Sequence, residues 1–359
     1  MAVFSDYWRG KSVLVTGGAG FVGSEIVRSL AERNLSRITV LDKMTYAADL
    51  RRIDDVSNSV QVEKISLEDI DSVRAVVQRA EPDCIIHCAA ESHVDRSIDG
   101  PESFVGSNIV GTFNLLQVAL RHWEKRGEDN GFRFLHISTD EVYGSLGLEG
   151  AFTEDSAYNP RSPYSATKAA SDHLVRAWVH TYGLPAIITN CGNNYGPWQF
   201  PEKLIPLMIL AALNEKPLPL YGNGEQIREW IHVSDHVRAL FAVIEKGDVG
   251  ETYLIGSGDE RTNRDVVETI CSLLDQRFPD REQHDRLITN VEDRPGHDLR
   301  YALDASKVQR VTAWHPQISF EGGLSETLDW YLAMKPWWGP LLTGLNAGDR
   351  LGLLKGKIS

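Results

Sequence analysis

A tyrosine with a lysine four residues on can supply a base, because an ammonium on the same helix face lowers the phenol pKa. Tyr-x-x-x-Lys occurs three times here, at Tyr7/Lys11, Tyr164/Lys168 and Tyr331/Lys335. Spacing therefore selects none of them. Context does: Tyr164 follows Ser162-Pro163 and opens the helical run SATKAASDHLVRAW. The other two pairs lie near the chain ends and read as surface or packing residues.

A second set of reactive groups sits in FLHISTDEVYG, residues 134–144, where an apolar run ends in Ser138-Thr139 and is followed by Asp140 and Glu141. In a continuing strand these two acids would point to opposite faces. They reach one ligand only if the chain leaves the extended state after about Thr139. Loops at the carboxyl ends of parallel strands are where α/β sheets bind ligands. Two adjacent carboxyls in a partly closed site push their pKa values apart, leaving one acid and one base. The plainer reading is an acidic pair at a helix N-terminus. Tyr164 and Lys168 in the same chain favour the catalytic one.

The segment SVLVTGGAGFVGS, residues 12–24, runs from an apolar strand through glycines into a helix. Gly17, Gly20 and Gly23 fit G-x-x-G-x-x-G, and Gly18, Gly20 and Gly23 fit G-x-G-x-x-G. Glycine lets the backbone approach a pyrophosphate, and the helix N-terminus offers free N–H groups. Asp42 follows Gly23 by 19 residues, where an acid bonds the ribose hydroxyls. Its charge repels a 2′-phosphate, so NAD is expected over NADP; Lys43 weakens that preference slightly.

Holding these groups together takes a doubly wound α/β fold. Strands are expected at Ser12–Thr16, Ile38–Asp42, Val60–Ile65, Cys84–Ala89, Phe134–Thr139 and Ala186–Cys191, with helices near 21–33, 69–80, 103–126 and 165–182. Several strands are apolar throughout, as in a parallel sheet covered on both faces. After about Pro197, helices near 202–214, 234–246, 263–277 and 323–333 form a smaller, interleaved domain. A strand at Glu251–Gly256 can rejoin the main sheet. The expected division is a Rossmann-like domain at 1–196, with about 229–256 returning to it, a substrate domain at 197–340 and a tail at 341–359.

Composition sets outer bounds. The chain has 359 residues and a formal charge of −13, which argues against a nucleic-acid backbone binder. The apolar run Leu204–Leu213 is ten residues long, short of the about 20 a membrane helix needs. The mixed, aromatic N-terminus has no signal core, and four cysteines are too few for a disulfide scaffold. No membrane partner and a cytoplasmic location are expected. His232 and His236 are four apart, but the first falls at a strand end and Ser234-Asp235 read as a helix cap, so no metal site is expected.

TGGAGFVGS, AAESHVDRS, STDEVYG, YSATKAASDHLVRA, TNCGNNYGP, FPEKLIPLMI, LPLYGNGEQIREW and RPGHD together resemble the dTDP-glucose 4,6-dehydratases, a family of extended short-chain dehydrogenases/reductases. The likeness spans about residues 12–335. It implies C4 oxidation of a nucleotide-linked glucose, loss of water across C5 and C6, and hydride return to C6, with NAD as cofactor. Tyr164, assisted by Lys168, matches the oxidation base. Thr139 matches a hydrogen bond to the C4 oxygen, Asp140 the acid at the C6 hydroxyl and Glu141 the base at C5. Phe21, Val22, Lys43, Thr45, Ala89, Ala90 and Asn194 match cofactor positions. Ser92, Asn193, Lys203, Pro219, Tyr221, Arg228, Asn263, Arg294 and His297 match substrate positions. Adenine contacts near SLEDID fall on either Ser66-Leu67 or Glu68-Asp69. The resemblance also implies a homodimer through the helices at 103–126 and 165–182. A C4-epimerase, a UDP-glucose 4,6-dehydratase and a non-catalytic NAD-binding scaffold stay open as alternatives.

Overall fold

The structure is a computed structural model that describes residues 6–293 and 296–344. Its strands are β1 (Ser12–Thr16), β2 (Arg37–Leu41), β3 (Val60–Glu63), β4 (Cys84–His87), β5 (Arg133–Thr139), β6 (Ala186–Cys191), β7 (Asn193–Tyr195), β8 (Leu218–Tyr221), β9 (Ile227–His232), β10 (Thr252–Ile255), β11 (Glu260–Thr262) and β12 (Ile288–Val291). Its helices are α1 (Phe21–Ala31), α2 (Ile70–Ala80), α3 (Val94–Asp99), α4 (Glu102–Phe104), α5 (Gly111–Lys125), α6 (Pro163–Tyr182), α7 (Leu204–Leu213), α8 (Val233–Lys246), α9 (Asn263–Arg277), α10 (Ser306–Thr312), α11 (Phe320–Ala333) and α12 (Lys335–Gly344).

Seven strands form a parallel sheet in the order β10-β6-β5-β4-β1-β2-β3. β1, β4 and β6 are buried along their whole length, so residues of both parities need apolar cover. One core cluster joins β1, β4 and β6 to α1 and α8. Another joins the opposite face to α2, α5 and α6. The order reverses between β1 and β4, and clefts open at the carboxyl ends of strands at such a switch point. β10 pairs with β6 through Thr252↔Ile188 to Ile255↔Cys191, so the late strand does return to the sheet.

The rest packs around a third core built from α7, α9, α11 and α12. It carries a three-stranded sheet, β11-β9-β7, and the pair β12-β8. Apart from the segment at β10 and the strand end at His232, which closes β9, the strands after β6 were not expected, nor was the 3₁₀ segment Leu50–Ser59. These strands have three to six residues, too short for alternation to show. The cap of α8 also differs: His232, not Ser234-Asp235, occupies it, its ring accepting from the Ser234 N–H at 3.4 Å.

The helix expected over 103–126 is three pieces: α4, a π-helical stretch at Val105–Val110, and α5. The break has a steric setting. A Cβ on Gly106 would lie 2.9 Å from a Glu68 carboxylate oxygen, and one on Gly111 2.9 Å from Leu67 Cβ. Wide π-turns let the helix press on the 66–68 loop and turn Asn108 inward, where it bonds Glu91 and Thr167. The whole stretch Glu102–Lys125 is long and apolar enough to cross a membrane, which inspection of apolar runs missed. Its most apolar window is 56% buried in the protein, where α5 packs on α2 and α6. The expected tail at 341–359 begins inside α12; beyond Gly344 it lies outside the described residues.

Candidate active site

The glycine turn after β1 is closed by sterics. A Cβ on Gly23 would sit 2.1 Å from the Gly17 carbonyl oxygen, and one on Gly17, whose φ is +70°, 2.7 Å from Ala89 Cα. Gly20 caps α1 without a side-chain hydrogen bond, so the first-turn N–H groups take no acceptor from their cap. Asp42, just past β2, is buried and accepts from the Ala19 N–H at 3.1 Å and the Met44 N–H at 2.8 Å. Burial pushes its carboxyl above the ordinary range, and those two N–H groups oppose the push. Lys43 is paired with Glu91 at 3.1 Å, so its charge is not free to invite a 2′-phosphate. These residues fit a dinucleotide: room for a diphosphate at a helix N-terminus, and an acid for a ribose. At the adenine end Ser66, Leu67 and Glu68 line the cleft, while Asp69 caps α2 by accepting from Ser72.

At the other end of the cleft β5 stops at Thr139 and the chain turns at once into a 3₁₀ segment, Asp140–Tyr143. Thr139 is its cap, accepting from the Glu141 N–H at 3.3 Å. That turn is the departure from extended chain the two acids need, and both line the cleft. Asp140 is 1% exposed. Burial, then the neighbouring Glu141 charge, hold its carboxyl protonated well above the usual carboxylate range. Its Oδ1 accepts from Thr139 Oγ1 at 3.1 Å, and its Oδ2 has no partner.

Tyr164 and Lys168 enter from the first turns of α6. Ser162 and Ser165 form a reciprocal capping box with Pro163 at the first position, which fixes the helix start and so the phenol's position. Lys168 reaches under the strand, its Nζ donating to the Ile137 carbonyl at 2.8 Å. The expected lowering of the Tyr164 pKa is not found. Burial, followed by the charge of Glu141, raises it well above the ordinary phenol value. Desolvation dominates, and Lys168, its Nζ turned to the Ile137 carbonyl, does not offset it. The other two Tyr/Lys pairs are structural. Lys11 lies 4.2 Å over the Tyr7 ring, and Tyr331 is buried with its hydroxyl on the Gln199 carbonyl.

A buried polar network backs α6. Asp172, one turn past Lys168, accepts from Ser138 Oγ at 2.9 Å, Tyr158 Oη at 2.8 Å and Asn190 Nδ2 at 3.2 Å, with His136 Nε2 at 3.1 Å. Burial pushes this carboxyl up, but the hydrogen bonds win and hold it below the usual range.

Every expected cofactor residue lines this one cleft: Gly17, Gly20, Phe21, Val22, Gly23, Asp42, Lys43, Thr45, Ala89, Ala90, Tyr164, Lys168 and Asn194. So do Ser92, Asn193 and Lys203, the last donating to the Ser92 carbonyl at 2.9 Å. The remaining substrate candidates sit elsewhere. Tyr221 meets His297 edge-on at 5.9 Å and donates to Asp95 at 3.2 Å. Pro219 is on β8, and Asn263 opens α9. Arg228 is buried on β9, bonds the Asp298 carbonyl at 3.0 Å, and its charge acts on Asp140. Arg294 lies outside the described residues. Sequence reading missed Arg52, Gln199 and His236 on the cleft wall. His236 was weighed only as a metal ligand; it bonds Asn194 Oδ1 at 2.9 Å instead.

A dinucleotide cradle at the carboxyl ends of a parallel sheet, with Tyr/Lys on α6, defines an extended short-chain dehydrogenase/reductase. The sequence profile of the family described as GDP-mannose 4,6 dehydratase matches residues 14–327, and the chain belongs to that family. It is 51% identical to a dTDP-glucose 4,6-dehydratase of Escherichia coli over 96% of this chain and 99% of that one. It is also 51% identical to the dTDP-glucose 4,6-dehydratase of Neisseria meningitidis serogroup B, over 95% and 99%. Among solved structures, a dTDP-glucose 4,6-dehydratase from Streptomyces venezuelae with NAD and TYD bound superposes with a TM-score of 0.84. The identity there is 42%, covering 92% of this chain and 99% of that one.

Proposed function

We propose that this chain is an NAD-dependent lyase that converts dTDP-glucose to dTDP-4-keto-6-deoxyglucose. The observation that carries the reading is the turn at Asp140–Tyr143, which sets two carboxyls in the same cleft as Tyr164. A C4-epimerase only returns hydride to the other face of one carbon and needs no acid–base pair at C5 and C6. The relatives at 51% identity favour dTDP-glucose over UDP-glucose.

Tyr164 takes the C4 hydroxyl proton while Thr139 holds the C4 oxygen. Bound NAD⁺ supplies a store for the hydride between C4 and C6, and a positive charge that joins Lys168 against the burial that otherwise keeps Tyr164 protonated. The 4-keto group acidifies C5–H, and Glu141 removes that proton. Asp140, held protonated by its dry setting, donates to the departing C6 hydroxyl, which leaves as water; with hydride return to C6, C5 takes back a proton. The acid and base of one elimination are thus adjacent in sequence and differ in burial.

The division into a cofactor domain at 1–196 with 229–256, and a nucleotide-sugar domain at 197–340, belongs to the same reading. Two separate cores support two units, with Ala305, Val308 and Trp314 packing in the first and Tyr195 and Trp230 in the other. Tyr221 and His297, which meet edge-on, serve as the nucleotide end of the substrate site, with Asn263 assigned to it from the sequence resemblance; Arg294, assigned likewise, lies outside the described residues. A homodimer in the cytoplasm completes the proposal. Its support is an exposed apolar strip on the π-stretch, α5 and α6, with Val105, Val110, Phe113 and Tyr182 between 37% and 51% exposed. The deciding experiment is incubation with dTDP-glucose and UDP-glucose followed by mass analysis. Loss of one water from the dTDP sugar supports the reading; an unchanged mass refutes it.

A further inference from the structure

Arg52 stands in the 3₁₀ segment Leu50–Ser59, and its side chain runs under the glycine turn. It is 1% exposed and lines the cleft. Nη1 donates to the Ala19 carbonyl at 2.9 Å and the Ala47 carbonyl at 2.7 Å, and Nε donates to the Trp198 carbonyl at 3.1 Å. The guanidinium also lies 5.3 Å from the Trp337 ring centre. Nη2 is buried with no partner.

These contacts are unusual for a buried cation, since the acceptors are neutral carbonyls. Buried charges are ordinarily paired, and an orphan donor on one carries a desolvation cost. Asp49 and Asp42 act on Arg52 through charge alone, neither accepting a hydrogen bond from it; Asp49's own hydrogen bonds come from Arg51 and Trp337. Burial pulls the guanidinium down to about 10, which leaves it charged at neutral pH. A purely structural clamp accounts for the bonds to Ala19, Ala47 and Trp198. It does not account for Nη2, or for a full positive charge where a neutral amide would bond the same carbonyls.

Ala19 immediately precedes Gly20, the cap of α1. A dinucleotide's diphosphate bound at that helix end would bring two negative charges to a turn that otherwise offers only main-chain N–H groups. We infer that Arg52 anchors the cofactor, its guanidinium supplying a fixed positive charge to the diphosphate beside the glycine turn. The inference rests on the dinucleotide reading of the cleft. The same residue bonds Ala19 on the cofactor side and Trp198 in the segment leading to Lys203, so diphosphate binding also steadies the wall next to the sugar site.

The test is calorimetric titration of the full-length protein with ADP-ribose, which carries the diphosphate without nicotinamide, and with adenosine, at low and high salt. Arg52→Gln keeps amide donors for the carbonyls and removes the charge. It should weaken ADP-ribose binding by about tenfold or more, flatten its salt dependence, and leave adenosine within about twofold. Unchanged ADP-ribose affinity and salt dependence would overturn the inference. So would an equal loss for both ligands, which marks a clamp alone. If Arg52→Gln fails to fold, Arg52→Lys decides: it should keep the salt dependence with weaker binding, and a flat salt response contradicts the assignment. Failure of the unaltered protein to bind ADP-ribose would instead refute the dinucleotide reading itself.

Discussion

Thr139 Oγ1 donates to Asp140 Oδ1 at 3.1 Å, while the other Asp140 oxygen lies buried without a partner. Burial and the Glu141 charge hold this carboxyl well above the ordinary range against the pull of the Thr139 hydrogen bond, and leave one oxygen fixed and one available. Asp140→Asn removes the proton donor and should lower turnover by about 10²–10⁴. The same change should alter how stability depends on pH. Because the folded-state pKa of Asp140 is raised, the unfolded chain releases this proton first, and stability falls as pH rises past the ordinary Asp range. A neutral amide abolishes that pH-dependent loss, so the stability of Asp140→Asn should fall less than that of the unaltered protein as pH rises to 7–8. Denaturant melts beside product assays check both halves.

Glu141→Gln separates oxidation from elimination. C4 oxidation should proceed, so the near-ultraviolet absorbance of reduced nicotinamide should build up on the enzyme. Exchange of the C5 proton with deuterated solvent should fail. Normal turnover in this variant would remove Glu141 as the base.

Tyr164→Phe should slow the first oxidation by about 10²–10⁴, so the absorbance signal seen with Glu141→Gln should rise far more slowly or not at all in the double variant. Fast oxidation without the phenol would mean another group takes the C4 proton.

The core carries several neutral histidines. Burial pulls His136 and His232 down to about 4 and His236 to about 3, from 6.5. As pH falls below 6.5 the unfolded chain protonates first, so stability should be full above that point and drain away toward pH 4. His136 alone should contribute about 3 kcal/mol to that loss at about 1.4 kcal/mol per unit. Urea midpoints across this range should fall steeply, and less so in His136→Asn; a flat profile would contradict the burial assigned to these rings.

Phe113 meets Trp178 edge-on at 5.8 Å, and Trp178 meets Tyr182 at 5.4 Å, on the outer face of α5 and α6. Phe113→Lys should convert a dimer to monomer in sedimentation experiments while leaving the glycine turn intact. A dimer that persists places the interface elsewhere.

Much of this site was readable because its signals are local. Strand, glycines and helix lie within Ser12–Ala31, and the Tyr164 helix carries its own cap at Ser162. Asp140 and Glu141 were legible only conditionally, since the turn after Thr139 had to be assumed. What was hidden depends on distant packing. The π-stretch at Val105–Val110 answers to Glu68 and Leu67 on another segment. The Tyr164 pKa moves against the Lys168 effect because burial, which spacing does not express, outweighs it. Arg52 carried no motif; its importance comes from Ala19 and Trp198, 33 and 146 residues away.

The central claim is that one hydrogen leaves C4 and returns at C6 within a single active site. Turnover of dTDP-glucose deuterated at C4, with the product examined by NMR, tests it directly. The account predicts a 4-keto-6-deoxy sugar with the deuterium in its C6 methyl group. Deuterium washed into solvent, or still at C4 in a sugar that has kept its water, would contradict it.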